Sequence, residues 1–530
     1  MDGKRINNEG TKLMQNKELT DKSKLSKKEC SFLILSAVLI ISIASTSSPL
    51  FPLNPWDDAN CFLTVGRGII KGLVPYRDLY EQKGPVLYLV HALCSLVPGR
   101  SFTGVWLLES LMASIFAIYS WKSVKLFTNP SSIAVGFVPL FLSVIYTTRV
   151  FNFGDSAEEL CFPLLSIVLF YALKAILTEN NLPELKEGFI CGLIAGLLLW
   201  TKYTFTAFIG AYCLLIIVYS VIHSEFKRLL QLIGLFIAGA AAATLPVILY
   251  FGINNAIGDM FTAYFYNNMF LYNAGSYKTG ILSIPVIKNL VIPFMVLFRL
   301  GKEYLAIGVL LILMITGAVF FPSKHRLRAI VFFAFTFVVT AMATFPRPYY
   351  IYYYVLIFMF YLPFVLIMFV RLESYIEAKL KDNQRIISIF FGAVFAVVTA
   401  VMLLLSKNNY LIFKPAKDIP QYKFAEEINK TIDPKILTFD IMDAGFYTAA
   451  NIVPSNRFFC FLNIEKDWPE ILNEQNRLIN EGYYDYIVCY DDSYKWDHYD
   501  LYRVEDTPIC DFSGKLATDR FCLYKRRSAS

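Results

Sequence analysis

About eleven runs of predominantly apolar residues divide the chain, and they constrain its fold more than any other feature. They lie at 31–51, 102–121, 132–148, 160–177, 188–201, 203–222, 229–253, 305–321, 330–345, 349–370 and 386–406. A helix crosses the hydrocarbon core of a bilayer in roughly 20 residues, satisfying its backbone N–H and C=O groups within itself. With 56% hydrophobic and 17% charged residues among 530, the apolar content reads as spanning helix rather than as one oversized soluble core. The expected fold class is a multi-pass α-helical membrane protein of about eleven transmembrane helices. The net charge of +7 makes no case for a nucleic-acid partner, and none is expected. Its distribution reports orientation instead.

The N-terminal tail, 1–30, carries Lys4, Arg5, Lys12, Lys17, Lys22, Lys24, Lys27 and Lys28, which places it in the cytoplasm. Alternating from there keeps every later basic connection inside: Lys122 with Lys125, Lys174 with Lys186, Lys227 with Arg228, Lys324 to Arg328, and the stretch 371–385. That pattern holds only if 284–300 does not cross, so it is read as a surface or re-entrant segment. The membrane domain then covers 31–407. Its first loop, 52–101, and a polar region, 408–530, face the exterior of a cell membrane, bacterial in type. Ala44-Ser45-Thr46-Ser47 offers small residues for signal-peptide cleavage, which would leave the loop on the same side.

From Lys414 onward charges and turn residues return. Short apolar runs at 435–439 and 486–490 read as strands, and 468–482 has helical spacing, so a small α/β domain is expected. It holds no dinucleotide fingerprint, phosphate loop or nucleophile elbow. Cys460, Cys489, Cys510 and Cys522 lie in it, where disulfides are compatible with an exterior location. With no C-x-x-C and only His91, His223, His325 and His498, the chain carries no His/Cys zinc pattern.

The first exterior loop does not resemble a connector. It opens Pro55-Trp56-Asp57-Asp58-Ala59, and Ala59, Phe62, Leu63, Gly66, Ile69, Ile70 and Leu73 then fall on one helical face opposite Asn60, Thr64, Arg67 and Lys71. Such a helix lies in the interface. One acid is explained as its N-cap. The second acid, and the Arg77-Asp78 and Glu81-Gln82-Lys83-Gly84-Pro85 that follow, are not. Elsewhere plainer readings compete. Lys202 ends a span and would snorkel, and Glu158 sits three residues after Asp155 as in a capping box. Arg149 and Arg347 would anchor span ends, and the tyrosines from Tyr349 to Tyr361 would form an aromatic belt. Glu109 lies inside a span, where an ionisable group is a functional candidate with no partner visible in the sequence.

An acid pair after the first span, an interfacial helix and then the run from Tyr76 to Tyr88 (YRDLYEQKGPVLY) resemble the GT-C glycosyltransferases, in particular the group of protein O-mannosyltransferases and lipid A aminoarabinose transferases. Leu198-Leu199-Trp200-Thr201-Lys202-Tyr203, Gly154-Asp155-Ser156-Ala157-Glu158-Glu159 and Arg347-Pro348-Tyr349-Tyr350 extend the likeness over most of the membrane domain, most weakly from 251 to 300. The family's Lys-Pro-Pro turn is Lys83-Gly84-Pro85 here. Tyr352-Tyr353-Tyr354 stands where many bacterial relatives place a His, so any role of that His does not carry over. The resemblance implies transfer of a sugar from a polyprenyl-phosphate donor to a hydroxyl on a glycan, lipid or protein. It makes Asp57 the base with Asp58 supporting it, and Lys83 and Lys202, joined by Arg347, the partners of the donor phosphate. Arg77, Glu81, Arg149 and Glu158 are supporting candidates. The resemblance fixes no cofactor; a divalent cation is compatible with Asp57, Asp58 and Glu81.

Two other classes are weighed. A polyprenyl-lipid or polysaccharide transporter or flippase would place ion sites and broken helices at mid-membrane, with a repeated half. No convincing repeat is seen, and the charges of interest gather at one surface. A non-catalytic assembly protein would tolerate Asp57→Asn.

Overall fold

The computed structural model describes residues 18–98, 102–128, 134–177, 182–271, 305–344, 351–379, 384–510 and 516–527, together with 291, 292, 295, 296 and 298–302. A helix occupies each of the eleven apolar windows: Lys27–Ala44, Thr103–Lys125, Phe137–Thr147, Ala157–Leu177, Leu185–Lys202, Thr206–Ile222, Phe226–Ile253, Leu305–Val319, Ser323–Thr344, Ile357–Lys379 and Gln384–Leu404. Seven helical runs among the described residues are long and apolar enough to cross a membrane, taking Leu185–Ile222 as one. The segment 284–300 lies largely outside the described residues.

The first helix starts at a capping box: Ser26 Oγ accepts from the Glu29 N–H (3.2 Å), and Glu29 accepts from the Ser26 N–H (2.7 Å). It ends at Ala44 rather than continuing to 51, because Ser45-Thr46-Ser47-Ser48 bonds elsewhere and Pro49 follows. Thr46 donates its N–H (2.9 Å) and hydroxyl (2.8 Å) to Phe153 O, which fixes the loop before Asp155 against the end of the first helix. Leu185–Lys202 and Phe226–Ile253 are drawn together along small residues. A Cβ at Gly192 would lie 2.0 Å from Phe236 O, and one at Gly239 2.0 Å from Phe189 O. Close backbone approach of this kind is a principal way that helices associate where lipid removes the hydrophobic drive.

The polar C-terminal region forms a four-stranded sheet of order β1-β2-β4-β3, with β1 Ile436–Thr438, β2 Tyr486–Cys489, β3 Tyr499–Cys510 and β4 Leu516–Arg526. β1 and β2 run parallel, and β4 is antiparallel to both its neighbours. The helix Glu470–Asn480 packs Ile471, Leu478 and Ile479 beneath it. β1, β2 and this helix match the sequence reading; β3 and β4, the longest strands, were not singled out by it.

The helix Asp57–Ile70 departs from expectation in one respect. The first half of its polar face does not meet water, since Asn60 and Thr64 are fully buried against the C-terminal sheet region. Thr64 Oγ1 donates to Asp443 (2.5 Å), Arg67 bonds Asn451 and donates to Thr448 O (3.4 Å), and the Tyr80 N–H donates to Arg457 O (2.9 Å). The Cys61 and Cys460 thiols meet across the same seam. A periodicity argument reports that a face is polar, not whether water or another segment satisfies it.

Candidate active site

The Lys83-Gly84-Pro85 turn is built from within. The Lys83 N–H donates to Glu81 (2.9 Å), whose carboxylate also accepts from the Tyr88 hydroxyl, and the Tyr76 hydroxyl donates to Lys83 O (2.7 Å). Glu81 is thereby consumed in shaping the turn. Pro85 then starts the helix Pro85–Ser95 at the position where a missing N–H is harmless. Gly84 lies so close to the end of Leu185–Lys202 that a Cβ would stand 2.2 Å from Trp200 O and 2.5 Å from Thr201 O. This contact seats Lys83 beside Lys202, close enough for its charge to be felt there. Gly84→Ala is expected to force the two segments apart and destabilise the protein by about 1–3 kcal/mol. Thermal unfolding in detergent measures this, and an unchanged midpoint would show that the turn is not seated as described.

Both ammonium groups are held. Lys83 Nζ is 3.1 Å from Asp58 and 4.0 Å from Glu81, over the Phe62 ring at 5.2 Å. Lys202 pairs with Glu158 and lies 3.7 Å from the centre of the Tyr353 ring. The segment Thr262–Leu271 straps the two together: Asn268 donates to Gln82 O (2.6 Å), Asn267 to the Tyr80 hydroxyl (2.6 Å), and Tyr264 to Leu199 O (2.8 Å).

Behind Asp58 stands a buried polar group. His91 Nε2 is 3.0 Å from both Asp155 oxygens and its Nδ1 is 2.7 Å from Leu87 O. Burial alone would lower the His91 pKa, but the Asp155 carboxylate outweighs it and raises it above its ordinary value. Glu109 accepts from Ser45 Oγ (2.7 Å) and from the Asp155 N–H (2.8 Å), so it does have partners. Asp155 takes φ of 65°, preceded by Gly154 at 94°, and this left-handed pair tucks its carboxylate inward.

Asp57 and Asp58 occupy the first turn of their helix, and neither caps it, because the cap position is Trp56. They look different ways. Asp58 faces Lys83. Asp57 lines a cavity of about 110 Å³ closed by the C-terminal sheet region, with Asp519 on its far wall. Burial, then the charges of Asp58, Asp443 and Asp519, push the Asp57 carboxyl up to about 8. Burial likewise lifts Asp443 to about 6, against the Thr64 and Gly445 bonds and the Arg67 charge.

Of the residues singled out in the sequence, Asp57, Asp58, Lys83, Glu81, Lys202 and Glu158 come together. Glu158 binds Lys202 and is not a cap; Ser156 and Glu159 fill that role, through Glu159 N to Ser156 Oγ (2.9 Å) and Asp155 N to Glu159 (2.8 Å). Arg77 turns away, bonding Asp78 (2.8 Å) and Asn254 O (2.7 Å). Arg149 lies in the segment leading to Asp155, and Arg347 falls outside the described residues. His91, Asn267, Asn268, Asp443 and Asp519 were not assigned roles from sequence, and Tyr353, read there as part of an aromatic belt, lies over Lys202. Among the described residues no group of three His, Cys, Asp or Glu side chains is arranged to hold a metal ion.

No protein-family model and no curated protein matches the chain. Solved structures do. ArnT from Cupriavidus metallidurans bound to undecaprenyl phosphate is similar at a TM-score of 0.55 and 13% identity, over 94% of this chain and 98% of that one. The apo structure of the same protein is similar at 0.55 and 12%, over 93% and 98%. The chain therefore shares the fold of that protein.

Proposed function

We propose that the chain is a GT-C glycosyltransferase that moves a hexosyl or pentosyl group from a polyprenyl-phosphate donor to an acceptor hydroxyl at the exterior face of a cell membrane. The observation that carries this reading is the seating of Gly84 on the Trp200 and Thr201 carbonyls, which unites Lys83 and Lys202 beside Asp58 at one site. Two compact cations held by carboxylates suit a phosphate that gains charge as it leaves. ArnT, whose fold is shared, has been solved with undecaprenyl phosphate bound. In the proposed reaction the acceptor oxygen bonds to the anomeric carbon, its proton passes to Asp57, and the bond from that carbon to the phosphate oxygen breaks with inversion. Lys83 and Lys202 take up the charge on the departing polyprenyl phosphate. Residues 1–30 are then cytoplasmic, 31–407 carry the donor site, and 408–530 stand outside.

Labelled polyprenyl-phosphate sugars added to membranes holding the protein are expected to transfer label to endogenous glycan, lipid or protein. Absence of transfer from every such donor would refute the proposal. A single cysteine placed in the C-terminal region is expected to react with an impermeant reagent in intact cells, and reaction only after lysis would reverse the orientation.

A pH dependence follows from Asp57. Its burial and the charges of Asp58, Asp443 and Asp519 all disfavour its ionised form. The base must be deprotonated to accept the hydroxyl proton, so kcat/KM is expected to rise about tenfold per pH unit below about 8 and level off above it. A profile already flat from pH 6 would show that another group, or none, takes the proton.

A further inference from the structure

The cavity in front of Asp57 differs chemically from the Lys83–Lys202 side of the site. Its near wall is Trp56 and Asp57; its far wall is Tyr490 from the end of β2, with Thr507, Asp519 and Phe521 from β3 and β4. Thr507 and Asp519 are direct cross-strand partners. Because strand side chains alternate, Arg520 emerges on the opposite face, where it pairs with Asp506 (3.1 Å) and Asp492 (3.2 Å). Among the described residues no Lys, Arg or His lines the cavity. A volume of about 110 Å³ admits on the order of ten waters, enough room for a sugar ring between aromatic walls.

We infer that this cavity is the acceptor subsite and that it takes a polyhydroxyl group, neutral or cationic, with Asp519 and Tyr490 holding hydroxyls next to the one that Asp57 deprotonates. Carboxylates accept hydrogen bonds from hydroxyl or ammonium groups and repel phosphate, while aromatic faces cover the C–H faces of a sugar. The unequal charge of the two sides of the site assigns the anionic donor head group to the lysines and excludes an acceptor whose phosphate must enter beside Asp57. Asp519 touches the acceptor rather than the reacting atoms, so it governs binding. This inference rests on the proposed glycosyl transfer and deepens it by naming the acceptor's chemistry.

Two measurements keep the failures apart. In detergent-solubilised full-length protein, methyl glucoside and glucosamine at tens of millimolar are expected to raise the unfolding midpoint of the wild type, glucose 6-phosphate to leave it unmoved, and Asp519→Asn to abolish the shift. This arm needs no turnover, so it tests the cavity even if no donor is found. Stabilisation by glucose 6-phosphate alone, by none of the three, or equally in Asp519→Asn would overturn the assignment. In membranes that do show transfer, Asp519→Asn and Tyr490→Phe are expected to raise the acceptor KM roughly tenfold or more, with the donor KM within twofold of wild type. A change confined to the donor KM, or no change in either, would also overturn it. Absent transfer in the wild type would count against the glycosyltransferase reading alone.

Discussion

Asp57→Asn is expected to lower sugar transfer by about two to four orders of magnitude. Asparagine keeps the shape of the side chain and its place in the first helical turn, but it cannot take up the acceptor proton. The substitution should not unfold the protein, and the sign of the titration shows why. With its folded pKa raised to about 8, against roughly 4 in an unfolded chain, Asp57 binds more protons folded than unfolded between those values. Its contribution to stability is therefore full at low pH and falls as pH rises toward 8. Asn, always neutral, lacks that loss and also relieves the repulsion with Asp58, Asp443 and Asp519. Thermal unfolding at neutral pH should find the variant at least as stable as wild type. Transfer within tenfold of wild type would remove Asp57 from the reaction.

The second large effect concerns Lys202. Lys202→Met removes one of the two cations assigned to the leaving phosphate and is expected to reduce kcat by about two to three orders of magnitude, the range for a lost charge-stabilising donor. It also leaves Glu158, with 2% of its side chain exposed, as an unpaired buried charge, which destabilises by about 3–5 kcal/mol. Lys202→Met combined with Glu158→Gln separates the two effects. The double variant should recover most of the stability and none of the activity. Recovery of both would make Lys202 a structural partner of Glu158 and nothing more, as a lysine that snorkels at a span end would be.

What could be read from the sequence is what local pattern carries. The apolar windows, the amphipathic helix after Asp57-Asp58, the Lys83 turn and the Thr201-Lys202 helix end each announce themselves within a few residues. What escaped it is contact between distant segments. Glu109 seemed unpartnered because Ser45 lies 64 residues away and Asp155 another 46 in the other direction. The polar face of the first-loop helix seemed solvated because its partner Asp443 follows Thr64 by 379 residues. His91 carried no signal beyond the absence of a zinc pattern, and only the fold brings it to Asp155. The acids at the start of that helix show a local limit as well: one of the two aspartates reads as its cap, yet Trp56 holds the cap position.

Asp57 and Asp58 are joined by one peptide bond yet face different partners, Asp58 the Lys83 ammonium and Asp57 a cavity closed by strands that arrive more than four hundred residues later. Selection can therefore act on the two walls independently. Under the proposed reaction, substitutions in β3 and β4 retune which molecule is decorated without disturbing how the lipid carrier is held, so that products diversify through a surface domain while the donor side is conserved.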